Sequence, residues 1–521
     1  MDIKRAKQEI KDSIEAYLTK DEFGAYRIPT IRQRPVLLMG PPGIGKTQIM
    51  EQIAKECKIG LVAYTITHHT RQSAVGLPFI KEKIYGGQTY SVTEYTMSEI
   101  IASVYEKIEQ TGIKEGILFI DEINCVSETL APTMLQFLQG KTFGNQKIPQ
   151  GWIIVAAGNP PEYNKSVREF DIVTLDRIKK INVEANLDVW KEYAYKQGIH
   201  PAVISYLELR KQNFYRIETT VDGKAFATAR GWEDLSQLIQ TYEVLGKTID
   251  RDVIAQYIQH KMIAKDFANY LELFYKYRKD YGVEDILEGK WNTTTLQKIK
   301  AAPFDEHLSV VSLLNGKASE MFQKSFLEDA YVSKVYEYLL IYKENLTSMR
   351  PEDIWHQAER DYQEQIRKEL LNHTEEIVMK KAVAALEKFA KQSQNNILEN
   401  NSEEQFEQVK EMFGELVQNR ENLIELTSEM LTHIFDFMEA AFGESQEMVV
   451  LITELNANSY AVWFIKENGC DQYYRYNKGL LFDERQQAIV QDMDAVETLL
   501  NKQGAISQEG AIEDECKRNE K

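Results

Sequence analysis

Residues 40–47 read Gly-Pro-Pro-Gly-Ile-Gly-Lys-Thr and fit the pattern GxxxxGK[ST] without a mismatch. A loop of this kind is suited to holding phosphate. Its glycines let backbone N–H groups turn inward around phosphate oxygens, and the helix that follows offers a positive N-terminus. In such a loop Lys46 reaches the β- and γ-phosphates, and the Thr47 hydroxyl ligates magnesium. The candidate nucleotide contacts are therefore Gly40, Pro41, Pro42, Gly43, Ile44, Gly45, Lys46, Thr47 and the adjoining Gln48. A glycine-rich turn with a coincidental lysine is the competing reading. The apolar run before the loop and the helix formers after it (TQIMEQIAKE) argue against that.

A second element is ILFIDEIN at 117–124, whose Asp121 lies 75 residues beyond Lys46. An apolar strand that ends in Asp121 delivers a carboxylate to magnesium from its C-terminal edge. Glu122 then projects near the γ-phosphate, where it can orient and deprotonate a water as general base. A third strand, WIIVAA, ends in Gly-Asn-Pro-Pro at 158–161. Asn159 at the end of a neighbouring strand can hydrogen-bond both that water and the γ-phosphate. Taken alone, GNPP is a turn signal and DE a solvated acidic turn; the order of the three elements makes them informative.

The elements that must position these residues are legible as alternating text. Strand-like runs at 36–39, 62–66, 117–121, 152–157 and 180–183 alternate with helical patterns at roughly 46–57, 97–111, 128–139 and 187–197. Continuous apolar strands alternating with helices mark an α/β parallel sheet covered on both faces. Residues 1–18 form an amphipathic helix. After 185 the strands are expected to stop, with helices at 201–215 and 230–245 and aromatic-rich helical text to about 280. Further on, two long helices are expected around 355–370 and 409–430, with a polar break at 392–404. Residues 448–466 fit strand or helix. The expected division is a core with its N-terminal helix (1–185), a helical lid (186–282), an acidic, mostly helical domain (283–505) and a flexible tail (506–521).

In this order, GPPGIGKT, ILFIDEIN and AAGNP resemble the Walker A, Walker B and sensor-1 elements of the AAA+ ATPases, over about residues 20–280. That resemblance implies an AAA+ P-loop NTPase core with an α-helical lid, ATP and Mg2+ as ligands, and a homo-oligomeric ring, usually of six subunits. LQGKTFGNQKIPQGW and VGLPFI are similar to hairpin and insertion regions of the MoxR-like and dynein-related branch. The resemblance also implies a trans-acting arginine finger at Arg177, with Arg168 as competitor, and a sensor-2 role for Arg230, where Ala229 replaces the usual proline. Tyr26, Ile28 and Ile31 sit where the family's adenine pocket forms; packing of a connector explains them equally well. The family reading is a cytoplasmic, chaperone-like ATPase that remodels a protein client, in this branch often a von Willebrand factor A-domain protein. Two alternatives stand beside it: a GTP- or ATP-driven translocase subunit of a DNA restriction-type system, and a non-hydrolysing nucleotide-gated scaffold.

Composition narrows the field further. The 521 residues hold 43% hydrophobic and 27% charged residues, which excludes disorder as the dominant state. No run approaches 18 uninterrupted apolar residues, so a membrane role is not expected. Four dispersed cysteines without a CxxC pair argue against a zinc or disulfide framework. The net charge of -18 argues against nucleic acid as partner, yet it is distributed unevenly. Residues 1–280 hold 37 Lys and Arg against 35 Asp and Glu, whereas residues 281–521 hold 25 against 45. The acidity belongs to the C-terminal half.

Overall fold

The structure, a computed structural model, describes residues 1–68, 74–143, 146–163, 167, 170–220, 223–395 and 402–478. The N-terminal part runs α1 (Ile3–Leu18), β1 (Val36–Met39), α2 (Lys46–Cys57), β2 (Gly60–Thr65), β3 (Pro78–Tyr85), β4 (Gln88–Tyr95), α3 (Glu99–Thr111), β5 (Gly116–Asp121), α4 (Ala131–Gly140), β6 (Trp152–Gly158) and β7 (Lys179–Asn182). Five of these strands form one parallel sheet in the order β2-β5-β6-β1-β7. Strand side chains alternate between faces, so each face collects its own core. Leu37, Leu118, Ile120 and Ile154 pack with Ile101 and Val104 of α3 and Phe137 of α4. Val36, Leu38, Phe119 and Val155 pack on the other side with Ile10 of α1 and Met50 and Ile53 of α2. Burying such a side chain stabilises by about 1.5–3 kcal/mol.

Beyond the sheet come α5 (Leu187–Gln197), α6 (Pro201–Leu209), β8 (Arg216–Thr220), β9 (Gly223–Ala227), α7 (Ala229–Val244), α8 (Arg251–Tyr257) and α9 (Lys261–Asp280). Then follow α10 (Val283–Leu287), α11 (Thr293–Lys300), α12 (Phe304–Glu344), α13 (Pro351–Arg367), α14 (His373–Asn395), α15 (Ser402–Ala441), α16 (Gln446–Ala457) and α17 (Ser459–Asn468). The fold is therefore a parallel sheet flanked by helices with a largely helical C-terminal region.

Several local expectations need correction. Strands do not stop at 185, because β8 and β9 pair as an antiparallel hairpin. The helix expected over 201–215 ends at Leu209, followed by a short 3-10 turn at Lys211–Asn213. A largely exposed antiparallel hairpin, β3–β4, occupies text that carried no strand expectation. Residues 448–466 form two helices that meet at 93°. Among the described residues no single helix is long and apolar enough to cross a membrane.

The expected boundary at 282/283 does not coincide with a break in packing. One apolar core takes in Trp232 and Phe267 before it, and Val311, Phe322, Phe435 and Leu451 after it. A second, distal core gathers Val335, Tyr342, Ile354, Leu386 and Val409. Helix α12, with 41 residues, and α15, with 40, contribute to both. At 1.5 Å rise per residue each is about 60 Å long. The tail expected at 506–521 lies outside the described residues.

Candidate nucleotide-binding site

The loop 40–45 joins the C-terminal end of β1 to α2, which begins at Lys46. Gly43 (φ +75°) and Gly45 (φ +90°) adopt left-handed backbone that side chains with a Cβ disfavour, and this turns the loop around the first turn of α2. Lys46 is buried and folds back over the loop. Its ammonium donates to the carbonyls of Gly40 and Pro41, each at 2.8 Å, and to Asn159 Oδ1 at 2.9 Å. Strand β6 lies between β5 and β1, so Asn159 emerges between the Asp121 strand end and the loop. Thr47 Oγ1 donates to Asp121 Oδ2 at 3.0 Å, and Asp121 Oδ1 accepts the Glu122 N–H at 2.8 Å. Glu122 itself has φ +56°, so the chain turns sharply at the strand end and the side chain leaves the sheet edge.

Burial is the main cause that pulls the Lys46 ammonium from 10.5 down to about 8; the Asp121 and Glu122 carboxylates resist it and the Arg230 guanidinium adds to it. A cation held at that cost, near two carboxylates and a run of turned glycines, suits an anionic phosphate chain. The Thr47 hydroxyl against an Asp121 carboxylate oxygen is a pair of hard oxygen ligands of the type magnesium prefers. The residues present thus fit a magnesium nucleotide.

The model of the family "ATPase family associated with various cellular activities (AAA)" matches residues 36–176. That segment of the chain is thus similar to the AAA family. No curated protein matches the chain. Among solved structures, it is similar to a protein from Cytophaga hutchinsonii described as an ATPase, at 16% identity and a TM-score of 0.20, over 35% of this chain and 51% of that one. It is similar to a RuvB point mutant from Thermotoga maritima at 16% identity and a TM-score of 0.27, over 50% and 69%. The third is NtrX from Brucella abortus in complex with ADP, at 15% identity and a TM-score of 0.24, over 40% and 45%. The chain spans about half the length of the first of these. At such values none adds to what the sheet order and the family match provide.

Within the matched segment and the helices that follow it, the remaining expected residues fall into two groups. Arg230 comes to the loop: its backbone N–H donates to the Gly43 carbonyl at 3.3 Å, and its side chain is exposed in the first turn of α7. Thr228 caps that helix by accepting the Gly231 N–H at 3.2 Å, and it lies against Gly43. Gln48 sits exposed on α2, and Ile44 is buried. Arg177 is exposed and contacts Gln139 of α4 rather than Lys46 or Asp121. Arg168 lies outside the described residues. Tyr26 follows the connector-packing alternative. Its hydroxyl donates to Glu115 at 2.9 Å, at the start of β5 and so at the opposite end of the sheet from Asp121. Tyr26 therefore lies away from the loop. Ile31 is exposed.

Two contributors went unread in the sequence. Asn124 is buried and its Nδ2 donates to the Asn159 carbonyl at 2.8 Å, which braces the strand end that presents Asn159. Tyr215 reaches back from beyond α6 and donates its hydroxyl to the Pro42 carbonyl at 2.9 Å. Asn124 directly follows the DEI triplet, a position that offered a signal; Tyr215 offered none.

Proposed function

We propose that the protein binds ATP with Mg2+ and hydrolyses it, as a MoxR-like, ring-forming AAA+ ATPase whose nucleotide cycle remodels a protein client. The observation that carries the enzymatic part is two neighbouring hydrogen-bonded pairs, Lys46–Asn159 and Thr47–Asp121, at the C-terminal ends of three adjacent parallel strands. Magnesium, when bound, neutralises charge developing on the transferring phosphoryl group. Lys46 swings from the loop carbonyls to phosphate oxygen, while Thr47 and Asp121 hold the metal ligand positions. Glu122, set just beyond Asp121, accepts the proton of the attacking water. Asn159 orients that water and lets go of Lys46 as it does so. Arg230 senses the γ-phosphate from the lid side, and the exposed Arg177 serves a neighbouring subunit's site.

Steady-state hydrolysis of ATP and of GTP, with and without DNA, by wild type, Lys46→Ala and Glu122→Gln tests this. Wild type is expected to prefer ATP without DNA stimulation, with both variants inactive. Hydrolysis by Glu122→Gln at the wild-type rate sinks the base assignment, and DNA-stimulated GTP hydrolysis favours a translocase. For the client, a von Willebrand factor A-domain protein is the first candidate, and a pull-down from native extract that recovers none counts against it.

A further inference from the structure

Each carbonyl of residues 40–43 has a donor. The Lys46 ammonium serves those of Gly40 and Pro41 from within the loop. The next two are served from outside it, by the region beyond α6. The Tyr215 hydroxyl donates to the Pro42 carbonyl at 2.9 Å, and the Arg230 N–H to that of Gly43 at 3.3 Å.

The Pro42–Gly43 and Gly43–Ile44 bonds are trans, and a trans peptide group holds its C=O and N–H on opposite sides. Fixing the Pro42 carbonyl outward therefore turns the Gly43 N–H inward, and fixing the Gly43 carbonyl does the same for the Ile44 N–H. Among the described residues neither N–H donates to a protein acceptor. Inward N–H groups are what a loop of this kind offers to phosphate. Without its outer donor, the Pro42–Gly43 group would be the weak point. Proline followed by a glycine at φ +75° is the arrangement of a type II turn. The same pair accommodates a type I turn once the peptide between them rotates by roughly half a turn. That rotation would aim the Pro42 oxygen, instead of the Gly43 N–H, at an anion.

Tyr215 and Arg230 belong to one packed unit. The indole N–H of the buried Trp232, on α7 with Arg230, is shared between the carbonyls of Asn213 and Phe214 at 3.2 Å each. The segment that ends in Tyr215 is thereby tied to α7. Tyr215 packs against both neighbouring cores, that of Val36, Leu38 and Ile44 and that of Trp232 and Phe267. Burial, with a smaller push from Tyr163, raises the pKa of its hydroxyl, so it stays a donor under assay conditions. Resting on the nucleotide-binding reading above, we propose that Tyr215 is a positioning residue of the phosphate loop. Its hydroxyl locks the Pro42–Gly43 peptide with the Gly43 N–H toward phosphate. Any shift of the helical region that withdraws Tyr215 then weakens the loop's hold on a polyphosphate.

The test compares wild type with Tyr215→Phe, which keeps the ring and removes only the hydroxyl. Titration with N-methylanthraniloyl ATP, competition by ATP and by inorganic tripolyphosphate, and steady-state ATP hydrolysis are measured on the full chain. Tyr215→Phe should bind ATP about three- to tenfold more weakly, the equivalent of one hydrogen bond. Tripolyphosphate, which has neither base nor ribose, should lose the same factor. KM should rise in step at unchanged kcat, the signature of lost uniform binding and not of a damaged fold. Tripolyphosphate competition that Tyr215→Phe leaves unchanged overturns the proposal; if ATP alone is weakened, Tyr215 acts on the nucleoside instead. A fall in kcat at constant KM overturns it as well. A wild type that binds neither ATP nor tripolyphosphate removes the nucleotide-binding reading, and this inference with it. Failure confined to the variant leaves that reading standing.

Discussion

Replacing Lys46 by Met should make the nucleotide-free protein more stable, not less. Lys46 is 8% exposed, and its ammonium hydrogen-bonds only to neutral oxygens, those of Gly40, Pro41 and Asn159. Burial holds its pKa at about 8 against an ordinary 10.5. At about 1.4 kcal/mol per pKa unit, keeping the side chain charged in the folded protein costs about 3.5 kcal/mol. Methionine preserves the aliphatic stem and removes the charge. The three oxygens lose a donor, at about 0.5 kcal/mol each at the low end of the usual range. The net expectation is a gain of about 2 kcal/mol at pH 7.

The pH dependence follows from the direction of the shift. Because the folded pKa is depressed, the penalty is full below about pH 8 and fades as pH rises toward 10.5. Stability differences between wild type and Lys46→Met, measured by urea unfolding from pH 7 to 9.5, should therefore narrow with pH. Adding magnesium ATP should reverse the order at pH 7, since ligand at 100 times Kd stabilises only the wild type, by about 2.7 kcal/mol. A Lys46→Met protein that is less stable than wild type without nucleotide at pH 7 would falsify this reasoning. A gap that does not change with pH would also defeat it.

Three further outcomes follow from particular contacts. Lys191→Met should cost about 3–5 kcal/mol in urea unfolding, because it strips the buried Glu454 of its cation. The double variant Lys191→Met, Glu454→Leu should recover most of that, and additive losses in the cycle would refute the coupling. Gly158→Ala should destabilise by about 1–3 kcal/mol, since its Cβ would lie 2.5 Å from Asn124 Oδ1; adding Asn124→Ala should relieve the clash, read by thermal melting. Arg177→Ala should lower ATP turnover by about 10³-fold while nucleotide affinity, measured by fluorescent-nucleotide titration, stays unchanged. A parallel loss of affinity would place Arg177 in its own subunit's site instead.

How much was legible depended on whether the relevant physics was local. The loop 40–47 can be read directly because phosphate binding demands glycine, lysine and a hydroxyl at fixed spacing. The five core strands can be read because strands covered on both faces must be apolar throughout, and Asp121 stands out where β5 leaves the core. Helix α12 escaped reading for the opposite reason. It is surrounded, with Val310, Val311, Leu313 and Leu314 buried in succession, so no single apolar stripe marks it. The β8–β9 hairpin is short and carries Thr, Glu and Lys, which give little strand signal. The connector residue Tyr26 lay close in sequence to the first strand, but its hydroxyl packs at the wrong end of the sheet for a nucleotide.

The sequence alone therefore determined which groups are on offer: a glycine-rich loop with lysine and threonine, an aspartate at a strand end, a glutamate beside it, a polar strand end, and an acidic C-terminal half. Only the tertiary structure decided that β6 inserts between β5 and β1, which brings Asn159 within hydrogen-bonding distance of Lys46 across 113 positions of chain. It also merged the expected lid with α12, α15 and α16 in one core, and set the Tyr215 hydroxyl on the Pro42 carbonyl. Strand order and helix packing are set by which apolar faces find each other, and those pairings have no counterpart in the spacing of neighbouring residues.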